Sequence, residues 1–339
     1  MEKTNWPTVT IIIITYNSER TIRKVLDSIH IQDYPQEKLD ILVVDGNSTD
    51  KTLSILKMDK MKIKIVQSPY PRDPEACRGV GLLHAKGEII SFIDSDNFMP
   101  HKLWLKNMMI PFVNHPEIVG SATLRFAYIK THNLLNRYFA LLGSADPVGL
   151  YLGKADKLSY VSNKWVLYGK KIFQAPNYFL VEDDYNHFPT LGSNGFCARK
   201  KYLKMAKSDP EHYFHIDVPY DLSLLGYNKY AIVKDTIIHD TATNPSIISY
   251  VLKRANYMKL HYQKRAQDRR YKVFDPQKTN DIIKIILFVF YAITLVQPLL
   301  VAINGYRKKR DLAWFVHPFF CFCIVIAYAF AIFPKIVKG

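Results

Sequence analysis

The residues whose chemistry stands out first are Asp94 and Asp96, two carboxylates one residue apart at the end of the apolar run Ile89-Ile90-Ser91-Phe92-Ile93. Such a pair can share a hard divalent cation and its waters. Mg²⁺ is typically held by one or two carboxylates plus substrate phosphates, not by an all-protein cage. Two more polar clusters close earlier apolar runs: Thr15-Tyr16-Asn17 and Asp45-Gly46-Asn47. No Gly-rich phosphate loop follows the first run, which argues against a nucleotidyltransferase. The four cysteines (Cys77, Cys197, Cys321, Cys323) show neither zinc-ligand spacing nor a disulfide framework, and suit a reducing compartment.

The elements that must position these groups follow from hydrophobic patterning. Residues 9–14 form a continuous β-branched run, as in a strand buried on both faces. Residues 41–44 read as a second buried strand, 63–66 as a third strand and 88–93 as a fourth. Asn17-Ser18-Glu19 offers cap residues for an amphipathic helix to about Ile31, Ser48-Thr49-Asp50 opens a second helix, and 74–85 reads as a third. Alternating strands and helices predict a mostly parallel sheet with helices on both faces. Sheets of this kind bind ligands at the carboxyl ends of their strands, and all three polar clusters fall on that edge.

The chain has 339 residues, 48% hydrophobic and 22% charged, which excludes a disordered protein. Its net charge of +16 is unevenly spread: residues 253–339 hold 16 basic and 4 acidic residues. A nucleic-acid-binding domain would spread basic residues over a folded face, so no nucleic-acid partner is expected. In that last quarter lie two uncharged runs, 285–303 and 312–333, each long enough to cross about 30 Å of hydrocarbon. The N-terminus has no apolar stretch before residue 9, and no signal peptide is read there. Ten Lys/Arg precede the first run, between 253 and 284, and four more (Arg307-Lys308-Lys309-Arg310) separate the two. The positive-inside rule places the larger cluster and the N-terminal domain in the cytoplasm, but a spanning hairpin then puts the second cluster on the other side. A re-entrant hairpin on the cytoplasmic face is the alternative. The domain plan is 1–252 (with halves 8–100 and 101–252), a basic juxtamembrane segment 253–284, and two transmembrane helices within 285–334.

With these residues in hand, the chain resembles a family 2 glycosyltransferase of the GT-A fold. The segments that carry the resemblance are Val9-Thr10-Ile11-Ile12-Ile13-Ile14-Thr15-Tyr16-Asn17, Asp27-Ser28-Ile29 with Gln32-Asp33-Tyr34-Pro35, Val43-Val44-Asp45-Gly46-Asn47-Ser48-Thr49-Asp50, Ala76-Cys77-Arg78-Gly79-Val80-Gly81, Ala85-Lys86-Gly87-Glu88 and the Asp-Ser-Asp. The match is specific over 8–100, looser over 190–262, and carries no firm motif over 120–185. It implies that Thr15 and Tyr16 line a nucleotide pocket, that Asp45 accepts hydrogen bonds from base or ribose, and that Arg78 lies near the nucleotide. The family's usual Asn after that Arg is Gly79 here. Asp94, Ser95 and Asp96 would meet the metal–diphosphate, with His239, after a strand over 230–238, a further candidate metal ligand. Gly192-Ser193-Asn194 resembles the segment beneath donor sugar and acceptor. Asp217 aligns with the catalytic Asp, although the preceding family Glu is replaced by His215-Ile216; Asp221 is the rival. Glu182-Asp183-Asp184 reads as a solvated acidic loop.

The resemblance implies a membrane-anchored, Mg²⁺- or Mn²⁺-dependent inverting transferase using a nucleotide-diphosphate sugar. The acceptor would be a lipid-linked or saccharide hydroxyl, as in cell-envelope polysaccharide synthesis, and membrane lipid a further partner. A polyprenyl-phosphate sugar synthase is the close alternative, since an anionic phosphate acceptor needs no strong base. A non-catalytic nucleotide-binding membrane scaffold is the alternative from another class.

Overall fold

A computed structural model describes residues 5–162, 169–241, 246–260 and 267–336. Lys264, Arg265 and Lys338 of the basic C-terminal quarter lie outside the described residues. The chain divides into two compact units, Met1–Ala127 with Tyr168–Asp240, and Tyr128–Leu167 with Thr241–Gly339.

The first unit holds the sheet. Its strands are β1 (Val9–Thr15), β2 (Leu39–Asp45), β3 (Ile63–Gln67), β4 (Ile89–Asp94), β5 (Asn97–Phe98), β6 (Gly120–Phe126), β7 (Lys170–Gln174), β8 (Tyr178–Glu182), β9 (Phe196–Arg199) and β10 (Lys229–His239). The order is β3-β2-β1-β4-β9-β6-β10-β8-β7, with β5 paired to β10 off this path. β3, β2, β1 and β4 run parallel to their neighbours, and β1 and the end of β2 are the unbroken apolar runs expected of strands buried on both faces. Beyond β4 the expectation of a mostly parallel sheet gives way. β9 runs antiparallel to both β4 and β6, and β8 and β7 add an antiparallel ribbon on β10. The sheet is mixed.

Helices α1 (Ile22–His30), α2 (Thr52–Lys57), α3 (Pro74–His84) and α4 (Trp104–Asn114) join these strands. α3 starts as its sequence dictates: Asp73 accepts from the backbone N–H groups of Glu75 and Ala76, with Pro74 in the first turn. α1 starts later than its cap-like residues suggest. Asn17 takes a left-handed φ of 47°. Its Oδ1 accepts from the Thr49 N–H, and Glu19 accepts from the Lys51 N–H. The residues expected to cap α1 instead tie the loop after β1 to the loop after β2.

The acidic triplet 182–184 is not a solvated loop. Glu182 ends β8, Asp184 caps a short 3₁₀ turn, and Asp183 is buried, with its Oδ1 accepting from the Ser223 hydroxyl at 2.5 Å. Burial pushes the Asp183 carboxyl up to about 7, and neighbouring Asp184 and Glu182 add to that effect.

The second unit contains α5 (Leu134–Leu142), α6 (Pro147–Tyr151), α9 (Ile247–Met258), α10 (Thr279–Thr294), α11 (Val296–Lys308) and α12 (Val316–Ile336); the intervening α7 (Lys200–Leu203) and α8 (Asp217–Leu224) belong to the first. Its core joins Leu135, Tyr138, Phe288, Trp314 and Phe320. Among the described residues one unbroken segment, Leu312–Ile332, is long and apolar enough to cross a membrane. The run 285–303, expected as a single span, is broken: α10 and α11 meet at 80°. Pro298 has no N–H for the Thr294 carbonyl and its ring crowds that group. Leu295 turns left-handed at φ 60°, and the Thr294 hydroxyl donates back to the Phe290 carbonyl at 2.9 Å.

An acid with a raised folded-state pKa stabilises the fold while the unfolded chain is also protonated, below about pH 4. That stability is lost as pH rises towards 7, because the unfolded Asp ionises first. Asp183→Asn is therefore expected to raise the melting temperature at pH 8 and leave it nearly unchanged at pH 4. Thermal melts across that range check this.

Candidate active site

Strand register brings the polar ends together. Thr15 pairs with Asp45 on one side of β1, and Ile14 pairs with Asp94 on the other. Thr15, Asp45 and Asp94 thus share the carboxyl edge of three adjacent parallel strands. Thr15 Oγ1 is buried and meets no hydrogen-bond partner among the described residues. Asp45 is fully buried, and its oxygens accept from the Ser48 N–H at 2.9 Å, the Ser48 hydroxyl at 2.5 Å and Gln67 Nε2 at 3.2 Å. Tyr16 lies half-exposed, with the Arg72 guanidinium 5.4 Å from its ring centroid. Asn17, Asn47, Arg72 and Asn194 all have left-handed φ, between 47° and 69°. Strain of this kind gathers where a loop is shaped for a ligand.

Arg78, on α3, is nearly buried. One arm of its guanidinium donates to Asp94 Oδ1 at 2.5 Å and the other to Glu75 Oε1 at 3.0 Å. Glu75 is itself buried and also accepts from His215, through the backbone N–H at 2.9 Å, while His215 Nδ1 sits 2.8 Å from Oε1. Burial alone would raise the Glu75 pKa; the charges of His215 and Arg78, with the His215 hydrogen bonds, outweigh it and hold the carboxyl well below its usual range. Gly79 fits the same packing. A Cβ there would lie 2.6 Å from Pro210 Cα, so the family's usual Asn has no room.

Asp94 and Asp96 keep 24% and 28% of their side-chain surface open. Ser95 between them accepts from the Ser18 hydroxyl at 2.8 Å. β5 sets Asn97 opposite His239, which brings His239 Nε2 to 3.5 Å from Asp96 Oδ2 while its ring stacks on Phe126. Among the described residues no three His, Cys, Asp or Glu side chains converge as a ready cation cage. What the edge offers is a half-open pair of hard oxygen donors, the set that takes Mg²⁺ or Mn²⁺ when substrate phosphates complete the shell.

The segments expected to handle acceptor and sugar lie against this network. Gly192 has φ 123°, and a Cβ on it would fall 1.8 Å from the His215 carbonyl oxygen, so only glycine allows this approach. Ser193 and Asn194 follow, both half-exposed. Asp217 is the first residue of α8 and is fully buried; Asp221, one turn on, is half-exposed. The helix begins two residues before Pro219. Glu75 and the role of His215 were not found from the sequence. Asp73-Pro74-Glu75 signals a helix start, but nothing in it points to a partner 140 residues away.

Residues 10–172 match the family described as Glycosyl transferase family 2. The match runs well past 8–100, into a stretch where no motif was legible. Over 219 residues the chain is 37% identical to the poly(ribitol-phosphate) beta-N-acetylglucosaminyltransferase TarS of Staphylococcus aureus, covering 60% of this chain and 35% of that protein. Over 227 residues it is 27% identical to the poly(ribitol-phosphate) beta-glucosyltransferase of Bacillus spizizenii, covering 60% and 33%. The chain thus spans about a third of the length of these relatives. Among solved structures, mannosyltransferase PcManGT from Pyrobaculum calidifontis in complex with GDP-Man and Mn²⁺ shares the fold, with a TM-score of 0.52, 18% identity, and coverage of 96% of this chain and 88% of that one. The fold is of the GT-A type, and the similarity to family 2 glycosyltransferases lies within residues 10–172.

Glu75→Gln keeps the shape and removes the charge that pairs Arg78 and His215. Because the folded-state pKa is depressed, the charged carboxylate stabilises the fold above about pH 4.5, and that contribution fades as pH falls below it. The variant is expected to lose about 3–5 kcal/mol at pH 7, as when a buried pair is broken, with the difference narrowing towards pH 3. Melting curves of both proteins across pH 3–7 check it.

Proposed function

We propose that this protein transfers a sugar from a nucleotide-diphosphate sugar to a hydroxyl of an acceptor at a membrane surface, with inversion at the anomeric carbon. The observation that carries the proposal is the Asp94–Asp96 pair, half-open at the carboxyl edge of β4 and backed by the buried Arg78–Glu75 pair. The family match and the named activities of the relatives support the class of reaction. Both relatives are named for poly(ribitol-phosphate), a polymer rich in hydroxyls, which favours a hydroxyl acceptor over a polyprenyl phosphate.

In this reading the base and ribose occupy the edge lined by Thr15, Tyr16 and Asp45, and the diphosphate reaches Asp94, Ser95 and Asp96. A divalent cation held by Asp94 and Asp96, with His239 beside Asp96, would neutralise charge developing on the leaving diphosphate. Arg78 fixes the rotamer of Asp94 and leaves its second oxygen to the ligand. Gly192, Ser193 and Asn194 form the floor beneath the sugar. Asp217 takes the proton from the acceptor hydroxyl, which is a poor nucleophile at neutral pH without a base. Its place beside His215 ties the base to the same network that orients Asp94. The apolar C-terminal segment attaches the protein to the cytoplasmic face of a membrane.

The test is a screen of UDP-, GDP- and dTDP-sugars with Mg²⁺ or Mn²⁺, following nucleotide release with wild type, Asp217→Asn and Asp221→Asn. Asp217→Asn is expected to lose on the order of 10²–10⁴-fold in turnover, with nucleotide-sugar binding little changed and Asp221→Asn much less affected. A dead Asp221→Asn beside an active Asp217→Asn would reassign the base. Full activity of both would point to a phosphate acceptor, and release with no sugar tested would contradict the transferase itself.

A further inference from the structure

The second unit carries its own evidence about how the apolar segment meets lipid. α10 has 16 residues and α11 has 13, about 24 and 20 Å at 1.5 Å per residue, each short of the roughly 30 Å hydrocarbon layer. Bent at 80°, close to a right angle, the pair does not run on as one straight span. Its two ends are held by one stretch of chain. At the entry, Lys154 Nζ donates to Asp281 Oδ2 at 2.6 Å, and Lys284 Nζ to the Leu152 carbonyl at 2.9 Å. At the exit, Arg137 Nε donates to Asp311 Oδ2 at 2.9 Å and the Tyr128 hydroxyl to the same oxygen at 2.5 Å. Tyr128, Arg137, Leu152 and Lys154 all lie within 128–154, whose helices α5 and α6 have nine and five residues and cannot cross a bilayer.

α12 is long enough to span, but its partners speak against it. The Tyr328 hydroxyl donates to Asp146 Oδ2 at 2.5 Å, and Arg254 Nη2 reaches that same oxygen at 2.8 Å. Tyr328 stands twelve residues, about 18 Å, along α12. A spanning α12 would carry this ion pair into the hydrocarbon, where charged side chains are costly and rare. Outward, Ile286, Phe290 and Ile293 on α10 and Phe322, Ile326 and Phe330 on α12 are exposed, in stripes at helical spacing.

We infer that α10–α12 form a one-sided anchor, inserted into a single leaflet of an anionic bilayer, with the α10–α11 bend as a re-entrant turn. This rests on the membrane attachment proposed above and specifies its topology. It also resolves the charge conflict of a spanning hairpin. The ten Lys/Arg of 253–284 and the four of 307–310 then lie on one side, where each gains from anionic headgroups and the positive-inside rule is met by both clusters.

The experiment uses the full chain with Cys323→Ser, and places one cysteine at Met58 or at Arg310, or an epitope tag after the last residue. Membranes are prepared as inside-out and right-side-out vesicles and treated with a membrane-impermeant maleimide or with antibody. The expected result is labelling of all three positions from the same vesicle face, with the signal at the opposite face at least tenfold lower. Labelling of Arg310→Cys only from the face opposite Met58→Cys would show that the α10–α11 pair crosses and overturn the inference, as would a tag reached only from that face. Recovery of the whole chain in the aqueous phase, as monomer or as a dimer covering its own apolar stripes, would instead remove the membrane reading on which the inference rests.

Discussion

A buried charge must be paired, and in this fold that requirement falls on Arg78. Arg78 and Glu75 sit together under the carboxyl edge of the sheet, both nearly closed to solvent. Each would cost several kcal/mol if left alone there. Their mutual bond fixes the turn of α3 on which both stand. The second arm of Arg78 fixes Asp94 at the end of β4, and the remaining valence of Glu75 fixes His215 just before α8. One network therefore sets the position of the Asp94 carboxylate and of the segment bearing Asp217. The close approach of Gly192 to the His215 carbonyl adds the loop of Gly192, Ser193 and Asn194 to the same frame.

The half of this arrangement that was legible in the sequence is the half made of local signals. β1, β2 and β4 are short runs of β-branched and apolar residues, so their existence and parallel pairing follow from pattern, and the polar residues that end them fall on one edge. The later strands were not legible in the same way. β6, β9 and β10 are separated by long connections, and β9 has only four residues, so its antiparallel insertion between β4 and β6 leaves no periodic trace. Asp183 reads as one acid of three on a loop, because burial by Ser223 is a tertiary fact. Asn17 and Glu19 look like helix caps, and are cross-links between two loops because left-handed Asn17 turns the chain away from α1.

The C-terminal quarter shows the opposite balance. Its composition announces apolar helices flanked by cations, yet length alone misplaces the first of them. Pro298 denies Thr294 a partner and Leu295 takes up the bend, so a run with no charge becomes two short limbs. Polar residues inside these helices find partners within the unit: the Tyr151 hydroxyl donates to Gln297 Oε1 at 2.5 Å and lies 3.1 Å from His317 Nε2, while the Tyr138 hydroxyl lies 2.8 Å from His317 Nδ1. A helix face satisfied this way packs against protein, and the exposed apolar residues fall on the opposite face.

The central claim is that the half-open carboxylates after β4 receive the diphosphate of a nucleotide sugar together with a divalent cation. Its most direct measurement is the affinity of the purified full chain for the donor sugar found by the screen, by calorimetry with and without Mn²⁺, in wild type and Asp96→Ala. The expected result is binding that weakens at least tenfold when either the cation or the Asp96 carboxylate is removed, with no further loss when both are. Equal affinity in all four conditions would contradict the assignment of this edge as the donor site.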